Sequence, residues 1–520
     1  MKDLTQGPIS RLLVAMAVPI AIGMLFQTLY FLVDLYFVSR LGDAAIAGVS
    51  TAGTVTFVIL ALTQMLGVGT VALVSQAAGR KDKAEANLVF NQSVLLSAVC
   101  GVLTLAWGFL AGGAYVRWVA ADAPAATAGA AYLYWYTPGL ALQFALVAMG
   151  SALRGTGIVQ PTMVVQMLTV ILNTVLAPIL ISGWLTHHPF GTAGAGLALQ
   201  FALVAMGSAL RGTGIVQPTM VVQMLTVIVN TVLAPILITG WGTHHPLGTA
   251  GAGLASSIAV AFGVLCLWVY FVRLEHYVAL HPRQWVPHWG LIGRILNIGL
   301  PAGGEFLMMF VILGVIYWVI RSFGPAAQAG FGIGGRVMQA MFLPVMAIAF
   351  AVTPVAGQNF GAGRLERVRE TFRRGAMLSS ALMLLITLVC QWRPEWFIYA
   401  FTRAPEVVAV GGPYLRIISW NFIATGLIFT CSGLFQALGN TWPSLLSSAS
   451  RLLTFVLPVV VLSRQPHFAL TQVWYLSVAT VTLQALISLT LLAREFRRKL
   501  GARRATAAVA AAVAPGSGRN

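Results

Sequence analysis

The stretch QTLYFLVDLYFVSRLGDAAIAG, residues 27–48, is apolar from Leu29 to Val38 apart from one carboxylate, Asp34, and ends its apolar phase at Arg40 and Gly42. Extended back to Leu12, the run exceeds the roughly 20 mostly apolar residues that a helix needs to cross a hydrocarbon layer. A charge at that depth costs roughly 2.5–3.5 kcal/mol on insertion scales, so Asp34 needs a partner, water or a function. The rest of the chain has the same character. Of 520 residues 58% are hydrophobic and only 8% charged, against about 25% charged in a soluble domain. The four cysteines lie in or beside apolar runs and support neither a disulfide framework nor a zinc site.

Windows long enough to span run from 12–38, 46–76, 89–112, 128–152, 160–184, 192–210, 217–241, 249–272, 291–319, 328–356, 375–398, 409–437, 443–463 and 469–492. The expected class is therefore an all-α polytopic membrane protein of about 14 spans. The formal charge of +18 is a topology signal and not a nucleic-acid footprint, because Lys and Arg collect in cytoplasmic loops. Arg80, Lys81, Lys83, Arg364, Arg367, Arg369, Arg373 and Arg374 fall in one set of alternate connections. The opposite set holds little beyond Arg40, Arg117, Arg321, Arg393, Arg403 and Arg464. Both termini are expected on the cytoplasmic side, and residues 496–520 as a disordered tail.

The chain repeats itself in two ways. At an ungapped offset of 282, Pro19 meets Pro301, Gly42 meets Gly324, Gly48 meets Gly330, Gln76 meets Gln358 and Gly79 meets Gly361. The register continues to Tyr132 with Tyr414 and Pro161 with Pro443. Separately, residues 139–195 recur as 196–252 with only four differences in 57 positions. The second copy is a local insertion in an older two-half chain. It adds two spans, an even number, so everything downstream keeps its orientation. The expected division is 1–280 for the N-terminal lobe, duplicated block included, and 281–495 for the C-terminal lobe.

Few ionisable groups sit at membrane depth: Asp34 and Glu305, with Arg336, Arg416 and Arg451 as the basic exceptions. A low-dielectric site penalises the ionised carboxylate, so Asp34 can take a proton from one side and release it to the other, or pair with a cationic ligand. Its counterpart in the second half is Ile316, which makes the halves chemically unequal. Glu305 follows GLPAGG near the start of its span, where snorkelling toward water competes with a transport role. Asn173 and Asn230, one per copy, are mid-span amides able to donate to a carboxylate or coordinate a cation, or simply to bond between helices. Gln27, Tyr30, Tyr36 and Met24 are candidate cavity residues on the first span. The histidine pairs 187–188 and 244–245 diverge at i, i+1 and make a poor metal site.

No GxxxxGK[ST] phosphate loop, HExxH or GxSxG motif occurs, so neither an intrinsic ATP motor nor an intramembrane hydrolase is indicated. An enzyme is not expected, and no cofactor beyond a coupling ion.

Together these stretches resemble the multidrug and toxic compound extrusion (MATE) family: residues 27–48, LRGTGIVQPT (153–162), GLPAGG (299–304), FGPAAQAGFGI (323–333), AVTPVAGQNFGAG (351–363) and FQALGNTWPS (435–444). The resemblance implies two six-helix lobes related by a pseudo-twofold along the membrane normal. It also implies a central cavity and export of lipophilic or cationic drugs from a bacterial inner membrane by a lipid-embedded monomer, in exchange for H⁺ or Na⁺. Asp34 matches the family's first-helix acid, and Asn173 or Asn230 its fifth-helix amide. Where the family has N-x-x-x-D, this chain has NTVLA twice, leaving Ala177 and Ala234. Loss of that carboxylate weakens a sodium site and favours H⁺. A Na⁺-coupled antiporter, a lipid or glycolipid flippase of the same superfamily, and a transport-inactive membrane protein are the alternatives.

Overall fold

A computed structural model describes residues 2–39, 43–120, 122–157, isolated positions between 250 and 272, 277–399 and 405–513, and of 25–39, 43–46 and 500–513 only the backbone. In the first half the helices are α1 (Ile9–Ser39), α2 (Asp43–Gly79), α3 (Lys83–Leu110), the short α4 (Gly112–Val119) and α5 (Ala123–Gly155). The second half holds α6 (Trp289–Ile320), α7 (Pro325–Gly361), α8 (Leu365–Trp392), the short α9 (Glu395–Tyr399), α10 (Pro405–Ile418), α11 (Asn421–Ala437), α12 (Trp442–Leu462) and α13 (Leu470–Val513).

The sequence repeat is written into these boundaries. Adding 282 to the ends of α2 gives the ends of α7, and adding it to those of α3 gives those of α8. The same shift carries α5 onto the start of α10 and the end of α11. Matched small residues make matched crossings, as membrane helices need where backbones approach closely. A Cβ on Gly129 of α5 would lie 2.6 Å from the carbonyl oxygen of Gly48 on α2, and one on the equivalent Gly411 would lie 3.5 Å from that of Gly330.

Among the described residues eight helices are long and apolar enough to cross a membrane, or up to nine counting one bent pair. The expected windows 160–184, 192–210 and 217–241 lie outside the described residues, and 249–272 is described only at isolated positions. The run expected as a span over 409–437 is a bent pair: α10 and α11 meet at 56°. The carbonyls freed at that break are satisfied by α8, as a non-aqueous interior demands. Gln391 donates to the Arg416 carbonyl at 2.6 Å and Thr387 to the Ser419 carbonyl at 2.9 Å. At the C-terminus α13 is helical to Val513, where an irregular tail was expected from 496. The run ATAAVAAAVA supplies the residue with the highest helix propensity.

Polar side chains are buried beside an apolar core, and large apolar ones are exposed. On α12 Leu453, Leu457 and Val461 form one exposed stripe while Ser444, Ser447 and Ser448 are buried, the arrangement of a helix solvated by lipid.

The chain forms two compact units. The first comprises residues 1–2, 15–74 and 83–296; the second comprises 3–14, 75–82 and 297–520. In the first, the face-to-face pair Phe90 and Phe271, centroids 4.6 Å apart, sits near an amide clasp. Asn87 and Asn91 of α3 grip the extended segment before α6: each donates its Nδ2 to a carbonyl (Tyr277, Ala279; 2.9 Å) and accepts a backbone N–H (Ala279 at 2.7 Å, His281 at 2.8 Å) on its Oδ1. Gln92 extends the clasp with bonds to the carbonyls of Gln284 and Val286. Asn91→Ala should cost about 1–3 kcal/mol, since truncation strands buried backbone partners; thermal unfolding of the purified protein in detergent reads this as a lowered melting temperature.

In the second unit residues 3–7 are held likewise. Gln358 accepts the Leu4 N–H at 2.9 Å, Arg364 donates to the Thr5 carbonyl at 2.6 Å and Arg367 to the Gly7 carbonyl at 2.8 Å. Asp3 folds back onto Thr5, whose hydroxyl is the main reason that its carboxyl sits below the ordinary carboxylate range. The aromatic core here is Phe331, Tyr414 and Trp474, with Phe331 and Trp474 stacked at 5.5 Å.

Candidate functional site

α6 carries Glu305 one turn beyond Pro301. The carboxylate is directed at α11 and α12 and not along its helix toward water: its Oε2 accepts hydrogen bonds from Ser432 at 3.0 Å and from Ser444 at 2.7 Å. Ser444 lies in the first turn of α12, which Pro443 opens. The two hydroxyl oxygens are 3.1 Å apart. Gln436 Nε2 lies 3.4 Å from Ser432 Oγ, and Thr353 of α7 donates to the Gly433 carbonyl at 3.0 Å. Three helices of the second unit thus meet at one acid, and a fourth, α7, is bonded to α11 beside it.

This cluster lines a cleft of about 820 Å³, counted with its open mouth. The walls are methionine and aromatic side chains, including Met308, Met309, Met346, Phe350 and Phe429, and the polar residues Ser448, Arg451 and Gln484. Arg451 makes no ion pair with Glu305 or any other described residue, and its Nε is buried without a hydrogen-bond partner. An apolar cavity with a few convergent polar groups is the usual form of a small-molecule site. Flexible thioethers let such a wall adapt to different ligands.

The first-span candidates have a different standing. Gln27, Tyr30, Asp34 and Tyr36 lie on the backbone of α1, and their side chains are outside the described residues; Met24 on the same helix is partly buried. Asn173 and Asn230 are wholly outside the described residues. Arg336 is exposed and forms no ion pair among the described residues. Arg416 ends α10 at the bend.

Sequence reasoning reached Glu305 and noted Arg451 without a role, but missed their shared cleft. The available signal was the spacing of Ser444, Ser447, Ser448 and Arg451 at i, i+3, i+4 and i+7, a polar stripe on one face of an otherwise apolar helix.

Comparison with known proteins gives one family. The MatE family model matches twice, over residues 19–179 and 301–462, so its two matches begin 282 positions apart. The probable multidrug resistance protein YpnP of Bacillus subtilis is 25% identical over 442 residues, covering 84% of each chain. The multidrug export protein MepA of Staphylococcus aureus is 22% identical, covering 84% of this chain and 83% of its own. Among solved structures, a MATE protein in its bent conformation superposes with a TM-score of 0.78 at 22% identity, covering 97% of this chain and 98% of that one. The fold is that of an all-α, multi-pass membrane transporter.

Proposed function

The chain belongs to the MatE family, and on that premise we propose that it is a secondary antiporter exporting lipophilic, cationic small molecules in exchange for H⁺. The observation that carries this reading is the double family match, one per half at the spacing of the internal repeat. Multidrug relatives of similar length support the substrate class. We place it in a bacterial inner membrane, termini cytoplasmic, as two six-helix lobes with a pseudo-twofold and two added spans. The coincident helix boundaries in the two halves support the symmetry.

The coupling acid in this reading is Asp34, on α1. Protonation and drug binding favour opposite states of the bundle, since a ligand shifts an equilibrium only by its differential affinity for the two conformations. The asymmetry with Ile316 confines that acid to one half. H⁺ is preferred to Na⁺ because NTVLA lacks the second carboxylate that a sodium site would draw on.

The test is export of a cationic dye from energised vesicles. Efflux should follow an imposed pH gradient and fall to background in Asp34→Asn, with the variant still inserted and monodisperse. Efflux that needs Na⁺ instead, or that survives Asp34→Asn, overturns the proton reading.

A further inference from the structure

The cleft of the second unit contains an acid and a base, Glu305 and Arg451, that do not pair with each other. Glu305 is held by two serine hydroxyls and no cation, while the guanidinium of Arg451 has no hydrogen bond to any described residue. Gln484, beside them, gives its Nε2 to Ser448 at 3.3 Å and leaves its buried Oε1 without a donor. An unpaired charge in a poorly hydrated interior is unfavourable. The Arg451 guanidinium gains no ion pair or hydrogen bond from its described neighbours.

We propose that this cleft binds an amphiphilic zwitterion, its carboxylate or phosphate on Arg451 and its cationic centre toward Glu305 and Gln484. A purely cationic ligand would leave Arg451 without a partner, and a purely anionic one would leave Glu305 without a cation and Gln484 Oε1 without a donor. Only a molecule carrying both charges satisfies both ends. The forked guanidinium suits a carboxylate or phosphate in two-point contact, and the methionine and aromatic walls accept the apolar scaffold between them. The proposal rests on the transport reading for the ligand's route, but its binding needs no gradient.

Two dyes differing in one group provide the test: tetramethylrhodamine, with a free carboxylate, and its methyl ester, which is a plain cation. Fluorescence anisotropy titrations would use the purified full chain in maltoside micelles without any ion gradient. The wild-type chain should prefer the free acid. Arg451→Gln should weaken the free acid about ten-fold or more, the scale of a lost charged hydrogen bond, and leave the ester within about two-fold. Arg451→Lys, which keeps charge without the fork, should fall between. The unchanged ester shows in the same samples that the cleft is still folded. Equal losses for both dyes, or none for either, overturn the proposal.

Added phosphatidylethanolamine separates the two sources of such a ligand. Displacement of the free acid by this lipid, absent in Arg451→Gln, assigns the site to a lipid headgroup; retention of the dye assigns it to soluble zwitterions. The selectivity seen in a protein without pH-driven efflux would keep the cleft assignment and remove antiport alone.

Discussion

Gly79→Ala and Gly361→Ala are each expected to lower the melting temperature of the purified protein, and the double variant to lower it by less than the sum. Within the second unit a Cβ on Gly79 would overlap the Gln358 carbonyl, and a Cβ on Gly361 would overlap the Gln76 carbonyl. These four residues are two pairs at the repeat offset, so one contact is made twice with the roles exchanged, as across a twofold axis. A backbone carbonyl cannot rotate aside as a side chain can. Both glutamines are also pinned, Gln76 by donating to the Ala437 carbonyl at 2.8 Å and Gln358 by accepting the Leu4 N–H at 2.9 Å. Each added methyl should therefore cost about 1–3 kcal/mol, the usual penalty for overpacking.

The shortfall in the double variant follows from the shared contact. Once the helix ends separate to admit one Cβ, the second finds part of its space already made, and neighbouring sites couple by roughly 0.5–3 kcal/mol. Gly293 on α6 supplies the control: a Cβ there meets nothing within 4 Å. Gly293→Ala should hold or raise the melting temperature, since alanine is the better helix former by about 1 kcal/mol. Strict additivity of Gly79→Ala and Gly361→Ala would mean that the two contacts are independent.

What was legible in the sequence follows from what kind of force sets each feature. Helix existence and the repeat were visible because lipid solvation enforces long apolar runs and the ungapped register preserves glycines and glutamines that touch backbone. The break between α10 and α11 was not, because its cause lies outside the segment. The equivalent α5 runs through Pro138 as one helix, while the broken pair has no proline at the break. The partners that stabilise the open turn, Thr387 and Gln391, sit on another helix. The Glu305 cleft was half legible for a similar reason: a lone acid in a span stands out, but its neighbours on α11 and α12 are more than 120 positions away. The helical extension to Val513 was obscured by the low complexity of the segment, although its alanines favour a helix.

Deleting residues 196–252 is expected to leave dye export intact or to raise it, together with the yield of monodisperse protein. The second copy lies wholly between the two family matches, the first of which ends at 179 inside the first copy. The matched halves are complete without it. Removing these 57 residues takes out the added runs 192–210 and 217–241 as a pair, so the basic loops of the second half stay on their own side. Packing around the join points the same way. Gly139, the first residue of the first copy, donates its N–H to Ser257, which follows the second copy, at 3.0 Å. The chain thus returns to α5 after the block, and a contact of that kind is indifferent to whether one copy or two lies between. The entropy of closing the intervening loop falls only slowly with its length, by about 0.6 kcal/mol per halving, and in the favourable direction. Export lost on deletion, with the shortened chain still inserted in the expected orientation, would mean that the copied segment has acquired a place in the transport path. The fifth-span role would then have to be sought at Asn230 instead of Asn173.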